Sequence, residues 1–139
     1  MSKNEEQMMS QGDDFAEKNN GLMPLVSDSF YISWLGSVGA TNSTVVETVY
    51  NGGQLKISVV VTGTPTPGVA CNITVVPLNC EFESGKAKES FSIWGANLGL
   101  AFFDVITPKS TYKGKTVKFS VSISSEHKDA VLYANGYIG

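Results

Sequence analysis

From Ser29 onward, apolar and polar residues alternate with a period of two. In "QLKISVVV" (54–61), Leu55, Ile57, Val59 and Val61 fall on one face, and Lys56 and Ser58 on the other. "TVKFSVSIS" (116–124) is cleaner: Val117, Phe119, Val121 and Ile123 alternate with Lys118, Ser120, Ser122 and Ser124. Successive side chains of a strand point to opposite faces, so this pattern predicts strands with one face in a core and one in water. "SFYISWLG" (29–36), "TVVETVY" (44–50), "ACNITVV" (70–76), "ESFSIWG" (89–95), "LAFFDVIT" (100–107) and "AVLYANGYI" (130–138) are further β-prone runs. Asn51-Gly52-Gly53, "GTPTPG" (63–68), Ser84-Gly85, Lys113-Gly114 and Asn135-Gly136 read as the turns between them. No helical period of a dozen residues intervenes, which argues against βαβ units. The expected fold is all-β: a single-domain antiparallel β-sandwich over residues 29–139.

Residues 1–28 break the pattern and read as an acidic, polar N-terminal arm. They carry six acids against two lysines, whereas the remainder carries seven acids and eight lysines. Met8, Phe15 and Leu22 recur at every seventh position, as do Met9, Ala16 and Met23, but Gly12 and Asn19-Asn20-Gly21 interrupt any helix they would stripe. A tail, or an arm docked on the body or on a neighbour, is expected.

Charge and composition then remove whole classes of function. The formal net charge is −3, and all ten basic residues are lysines. Nucleic-acid recognition leans on arginine forks and a basic face, so no nucleic-acid partner is expected. The longest apolar run, around "SVVV", is far below the roughly 20 residues of a membrane span. No signal region opens the sequence, which points to a cytoplasmic protein or one released by a non-classical route. The sequons at Asn42 and Asn72 then read as strand-edge Ser/Thr patterns.

The catalytic inventory is thin. His127, the one histidine, lies in the polar "SSEHKDA" and reads as a solvated loop residue, with no serine elbow or acid in triad order. Glu81 and Glu83 share a strand face and suit solvent better than a glycosidase pair. No phosphate loop is present. Cys71 and Cys80 bracket "NITVVPLN" and read either as a disulfide across a hairpin or as two reduced, strand-buried thiols. The missing signal region favours the thiols. Neither an enzyme nor a cofactor or metal is expected.

Surface recognition remains. Trp34, Trp94, Tyr112, Tyr133 and Tyr137 fall at strand ends or beside turns. They serve either to close a small core or to present rings at a rim, where they can stack on sugars or meet a lipid headgroup layer. In "GANLGLAFFDVITPK" (95–109), the strand period sets Phe103 and Val105 on one side and Phe102, Asp104 and Ile106 on the other. Asp104 therefore belongs either to a strand buried on both sides, with a specific partner, or to a pocket wall with an apolar floor.

The segments "YNGGQLKISV", "SGKAKESFSIWGANLGLAFFDVIT" and "AVLYANGYIG" resemble, in order, the actinoporin-like superfamily and within it the fungal fruit-body lectins. The resemblance implies a non-enzymatic sandwich that binds glycans or, in cytolytic members, phosphocholine headgroups. It also implies a site in which Asp104, Val105 and Thr107 contact an N-acetylated sugar, with Asn97 from the preceding turn. Trp94 and Tyr112 complete the candidate binding set as nearby rings. The chain departs from those lectins in lacking their Arg- and Tyr-bearing segment between Thr107 and Tyr112. It departs from the actinoporins in having Trp94-Gly95 where they carry a tyrosine-rich loop. The functional expectation is a lectin- or cytolysin-like protein that binds a cell-surface glycan or lipid headgroup, with peripheral membrane contact. The alternative is a structural subunit of a larger assembly, a homo-oligomer joined through the arm.

Overall fold

The alternation becomes eight strands. A computed structural model describes residues 28–36 and 42–139, so all of the expected arm except Asp28 lies outside the described residues. The strands are β1 (Ser29–Leu35), β2 (Asn42–Val49), β3 (Leu55–Gly63), β4 (Val69–Pro77), β5 (Glu89–Trp94), β6 (Ala101–Ile106), β7 (Thr116–Ser124) and β8 (Val131–Ile138). Two single 3-10 turns, Gly95–Asn97 and Ser110–Tyr112, follow β5 and β6.

The strands pair antiparallel in two sheets, ordered β1-β8-β3-β6 and β2-β7-β4-β5. Only β4 and β5 are neighbours both in sequence and in a sheet; every other connection crosses from one sheet to the other. Two interlocked Greek keys with this order form a jelly roll. The crossing is forced by the pattern, because each strand has one apolar face and the two sets of apolar faces must be pressed together. Ile57, Val59 and Val61 of β3 and Leu132, Ala134 and Ile138 of β8 supply one side. Ile73 and Val75 of β4 and Val117, Phe119, Val121 and Ile123 of β7 supply the other, all essentially inaccessible to water. Phe82 stacks on Phe119 at 6.1 Å to close one end of the core. Nearby, the buried Tyr50 hydroxyl donates to the Gly53 carbonyl at 2.6 Å and lies 3.1 Å from that of Pro108. The β2–β3 turn that Tyr50 braces passes through Gly52 and Gly53 at φ 94° and 76°, a left-handed path that suits glycine.

Two expectations change, and two open alternatives are decided. Asn135-Gly136, a turn dipeptide by composition, runs through the interior of β8, opposite Val60 and Val59 of β3. A Cβ at Gly136 would overlap both the Ser58 carbonyl and the Phe30 ring. The glycine is there to admit Phe30 against the backbone, not to reverse the chain. Of the two cysteine readings the structure has the favoured one, reduced and buried thiols, because residues 69–77 are one continuous strand with no hairpin in it. Six residues of extended chain separate Cys71 from Pro77 by about 20 Å, and both thiols are free and buried. His127 is half-buried rather than solvated: its Nε2 lies 2.8 Å from the Val69 carbonyl, and it helps tie the β7–β8 connection to the start of β4. Trp34 lies in the core, which removes it from the rim set. The two sequons lie within strands. The Asn42 side-chain amide donates to the Ser33 carbonyl, and Asn72 Oδ1 accepts from Ser92 Oγ at 2.8 Å.

Replacing Gly136 by alanine is expected to cost about 1–3 kcal/mol, as overpacking does, measured as a lower midpoint in urea. Burial pushes the Cys71 thiol from its ordinary 9.0 to about 11. Between those values the unfolded chain has released a proton that the folded chain keeps, so stability falls as pH rises. The contribution is full below pH 9.0 and lost as pH passes about 11. The unfolding free energy of the native protein should therefore decline over that range by up to about 3 kcal/mol more than that of Cys71→Ala.

Candidate functional site

The structure divides the residues that the sequence grouped. Trp94 and Asn97 stand at the end of β6 that begins with Ala101. There Gly95 N–H donates to the Gly68 carbonyl (2.8 Å) and Gly99 N–H to that of Val61 (2.7 Å). Thr107 and Tyr112 stand past the other end, where Glu83 N–H donates to the Thr107 carbonyl at 2.8 Å and Tyr112 packs against the core. The six residues of β6 put about 20 Å between the two groups. Val105 and Thr107 do come together, in a shallow cleft of about 220 Å³ shared with Glu83, Ser84 and Glu89. The short segment carrying Glu83 is pinned beside β6 by the Phe82–Pro108 bridge and by an ion pair from Lys109 Nζ to Glu81 Oε1 at 2.6 Å. That contact raises the Lys109 pKa, through the hydrogen bond and then the charge of Glu81.

Asp104 has a partner, and it is local. Its Oδ1 accepts from the Val105 N–H at 2.8 Å. Strand β6 is an edge of its sheet, and this amide has no place in the ladder to β3. The carboxylate between Phe102 and Ile106 thus turns to the rim and satisfies an edge donor. A charge at an edge also obstructs pairing with a further strand. Asp104 is therefore an edge cap.

The outward face of the β1-β8-β3-β6 sheet has a different character. Its register sets Ser29, Tyr137, Ser58 and Phe103 in one row, and Tyr31, Asn135, Val60 and Ala101 in the next. Tyr133 lies diagonally from Tyr31, and their rings stack at 6.3 Å with planes 12° apart. Tyr31 is 58% exposed, Phe103 57% and Tyr137 45%. Lys56 is the one charged side chain among the outward positions of these four strands, and its Nζ lies over the Phe103 ring at 5.1 Å. Ser58, between Tyr137 and Phe103, is only 8% exposed, and its hydroxyl has no hydrogen-bond partner among the described residues. These large rings stand on a sheet face that does no core packing.

Sequence reasoning named Tyr133 and Tyr137 but omitted Tyr31, and it placed Phe103 on its face without assigning it a role. The signal was present in "SFYISWL", where the period that buries Phe30, Ile32 and Trp34 turns Tyr31 outward. Among the described residues no helix is long and apolar enough to cross a membrane.

No protein-family model, curated protein or solved structure matches the chain, so the likeness to the actinoporin-like superfamily rests on the quoted segments alone.

Proposed function

We propose that the protein is a non-enzymatic binding module that recognises cell-surface glycans, with the outward face of the β1-β8-β3-β6 sheet as its binding surface. The observation that carries this reading is the set of Tyr31, Tyr133, Tyr137 and Phe103 on one nearly uncharged face. A pyranose has one face of C–H groups and a rim of hydroxyls. The C–H face packs on an aromatic ring, and the rim needs small donors and acceptors beside it. Asn135, Ser33 and Thr62 sit between the rings in register. The cleft holding Val105 and Thr107 lies beside the edge strand β6 and shares Val105 with this surface, so it can take a group projecting past that edge.

The strand order supports a second reading, since jelly rolls serve capsid and lectin domains alike. In it the protein is a subunit of a larger assembly that meets its neighbours through the N-terminal arm. Light scattering on the full chain and on a chain beginning at Ser29 tests it. A defined oligomer that the shorter chain fails to form supports assembly, and two monomers exclude it.

A glycan array with the full chain tests the leading reading, and Tyr31→Ala and Tyr133→Ala should each weaken binding about tenfold, the worth of roughly 1.4 kcal/mol. The unfolding midpoint of Tyr31→Ala should shift little, because Tyr31 is exposed and exposed positions carry small stability effects, whereas loss of the half-buried Tyr133 should shift it more. Binding to sphingomyelin vesicles in place of glycans would move the reading to a lipid headgroup. A folded sample that binds neither would end it.

A further inference from the structure

Within that glycan-binding reading, on which this inference rests, we propose that Ser58 is the specificity-determining residue of the face. It lies at the base of a ring-walled notch that accepts the exocyclic hydroxymethyl arm of a hexopyranose. Ser58 is the only residue of polar type that is buried among those described, and its hydroxyl, which can both donate and accept, does neither with any described residue. Trp34 Nε1 and Thr66 Oγ1 are also buried without a partner, but only Ser58 lies on the outward face of this sheet between two rings. A hydroxyl shut from water without a partner is destabilising, and interiors rarely retain one. Nothing in the fold calls for it. The inward face of β3 is complete in Leu55, Ile57, Val59 and Val61, and an alanine at position 58 would leave that core untouched.

The surroundings of Ser58 say what it can serve. It lies directly opposite Tyr137 on β8 and Phe103 on β6, so two large rings flank one small hydroxyl side chain. Strand spacing places the backbones that carry the rings about 10 Å apart. The notch is closed in the free protein, since the Ser58 hydroxyl is shut from water. Both rings remain about half exposed and are free to part, since exposed side chains change rotamer on the nanosecond scale. What enters must be narrow, must carry a hydroxyl at its tip and must have an apolar stem to lie between rings. It must also be uncharged, because the nearest ion, Lys56, is engaged over Phe103.

A hydroxymethyl arm meets all four conditions while its parent ring lies on Tyr137 or Phe103. A pentopyranose has the same ring and no arm. A site built around a hydroxyl discriminates against a ligand that leaves it unpaired.

The experiment compares binding of soluble β-glucan, chito- and xylo-oligosaccharides to the native chain, to Ser58→Ala and to Tyr137→Ala, by calorimetry, with thermal unfolding of each. The native chain should bind the two hexose series and bind the pentose series less tightly. Ser58→Ala should lose about three- to tenfold in hexose affinity, the worth of one hydrogen bond, with pentose affinity unchanged. It should also unfold at a higher temperature, since an unpaired hydroxyl has been removed. A gain in stability with a loss of affinity is the signature of a group kept for a ligand. Unchanged hexose affinity in Ser58→Ala, or equal binding of both series by the native chain, overturns the proposal. If Tyr137→Ala still abolishes binding in either case, the glycan face itself stands. A native chain that binds no oligosaccharide overturns both.

Discussion

Everything in this molecule answers to one requirement: the inward faces of β3 and β8 must meet those of β4 and β7. Two sheets pack at about 10 Å when their central inward positions are apolar and well fitted. The chain meets this by crossing between sheets at nearly every connection, so that each strand reaches a partner with its apolar side turned in. Phe30 enters that interior only because β8 carries glycine at position 136. Outward positions are released from packing by the same requirement. Polar residues fill most of them on β7, as in Lys118, Ser120 and Ser122. On the β1-β8-β3-β6 sheet they hold tyrosines and a phenylalanine, which water does not favour and the core does not use. That mismatch is the ground on which the proposed binding face rests.

The strands were legible because their signal is local. Leu55–Val61 and Val117–Ile123 state their faces in consecutive residues, and all eight expected runs became strands. Misreadings arose where a distant residue overrides a local one. Asn135-Gly136 carries a turn signal in two letters, while the reason for the glycine is Phe30, more than a hundred residues away. A disulfide between Cys71 and Cys80 stayed open as the less favoured alternative because no residue between them announces which strands will flank β4. The candidate site suffered differently. A two-residue period tells which face a side chain takes but not which end of the sandwich it reaches. Asn97 and Thr107 therefore appeared as neighbours when β6 holds them apart.

The β6 edge shows how closely recognition and protection can be set. Val105 lends its side chain to the outward surface and to the cleft with Glu83 and Glu89, while its amide is occupied by Asp104. The neighbouring carboxylates differ in employment. Glu81 is held by Lys109, and Lys86 approaches Glu89 at 3.7 Å. An edge supplied with its own acceptor can border a binding surface without inviting strand addition. The jelly roll does not dictate that surface; the residues placed on it do.

The described body also begins and finishes at one corner. The Ile138 N–H donates to the Asp28 carbonyl at 2.9 Å, and Ser29 pairs with Tyr137. Opening the chain at a distant loop and joining residues 28 and 139 by a short bridge would thus give a circularly permuted molecule with little change in its core. A label or carrier domain attached at Gly139 enters beside Tyr137, on the row of rings itself. A permuted chain would move that attachment to another side and leave the aromatic face unobstructed.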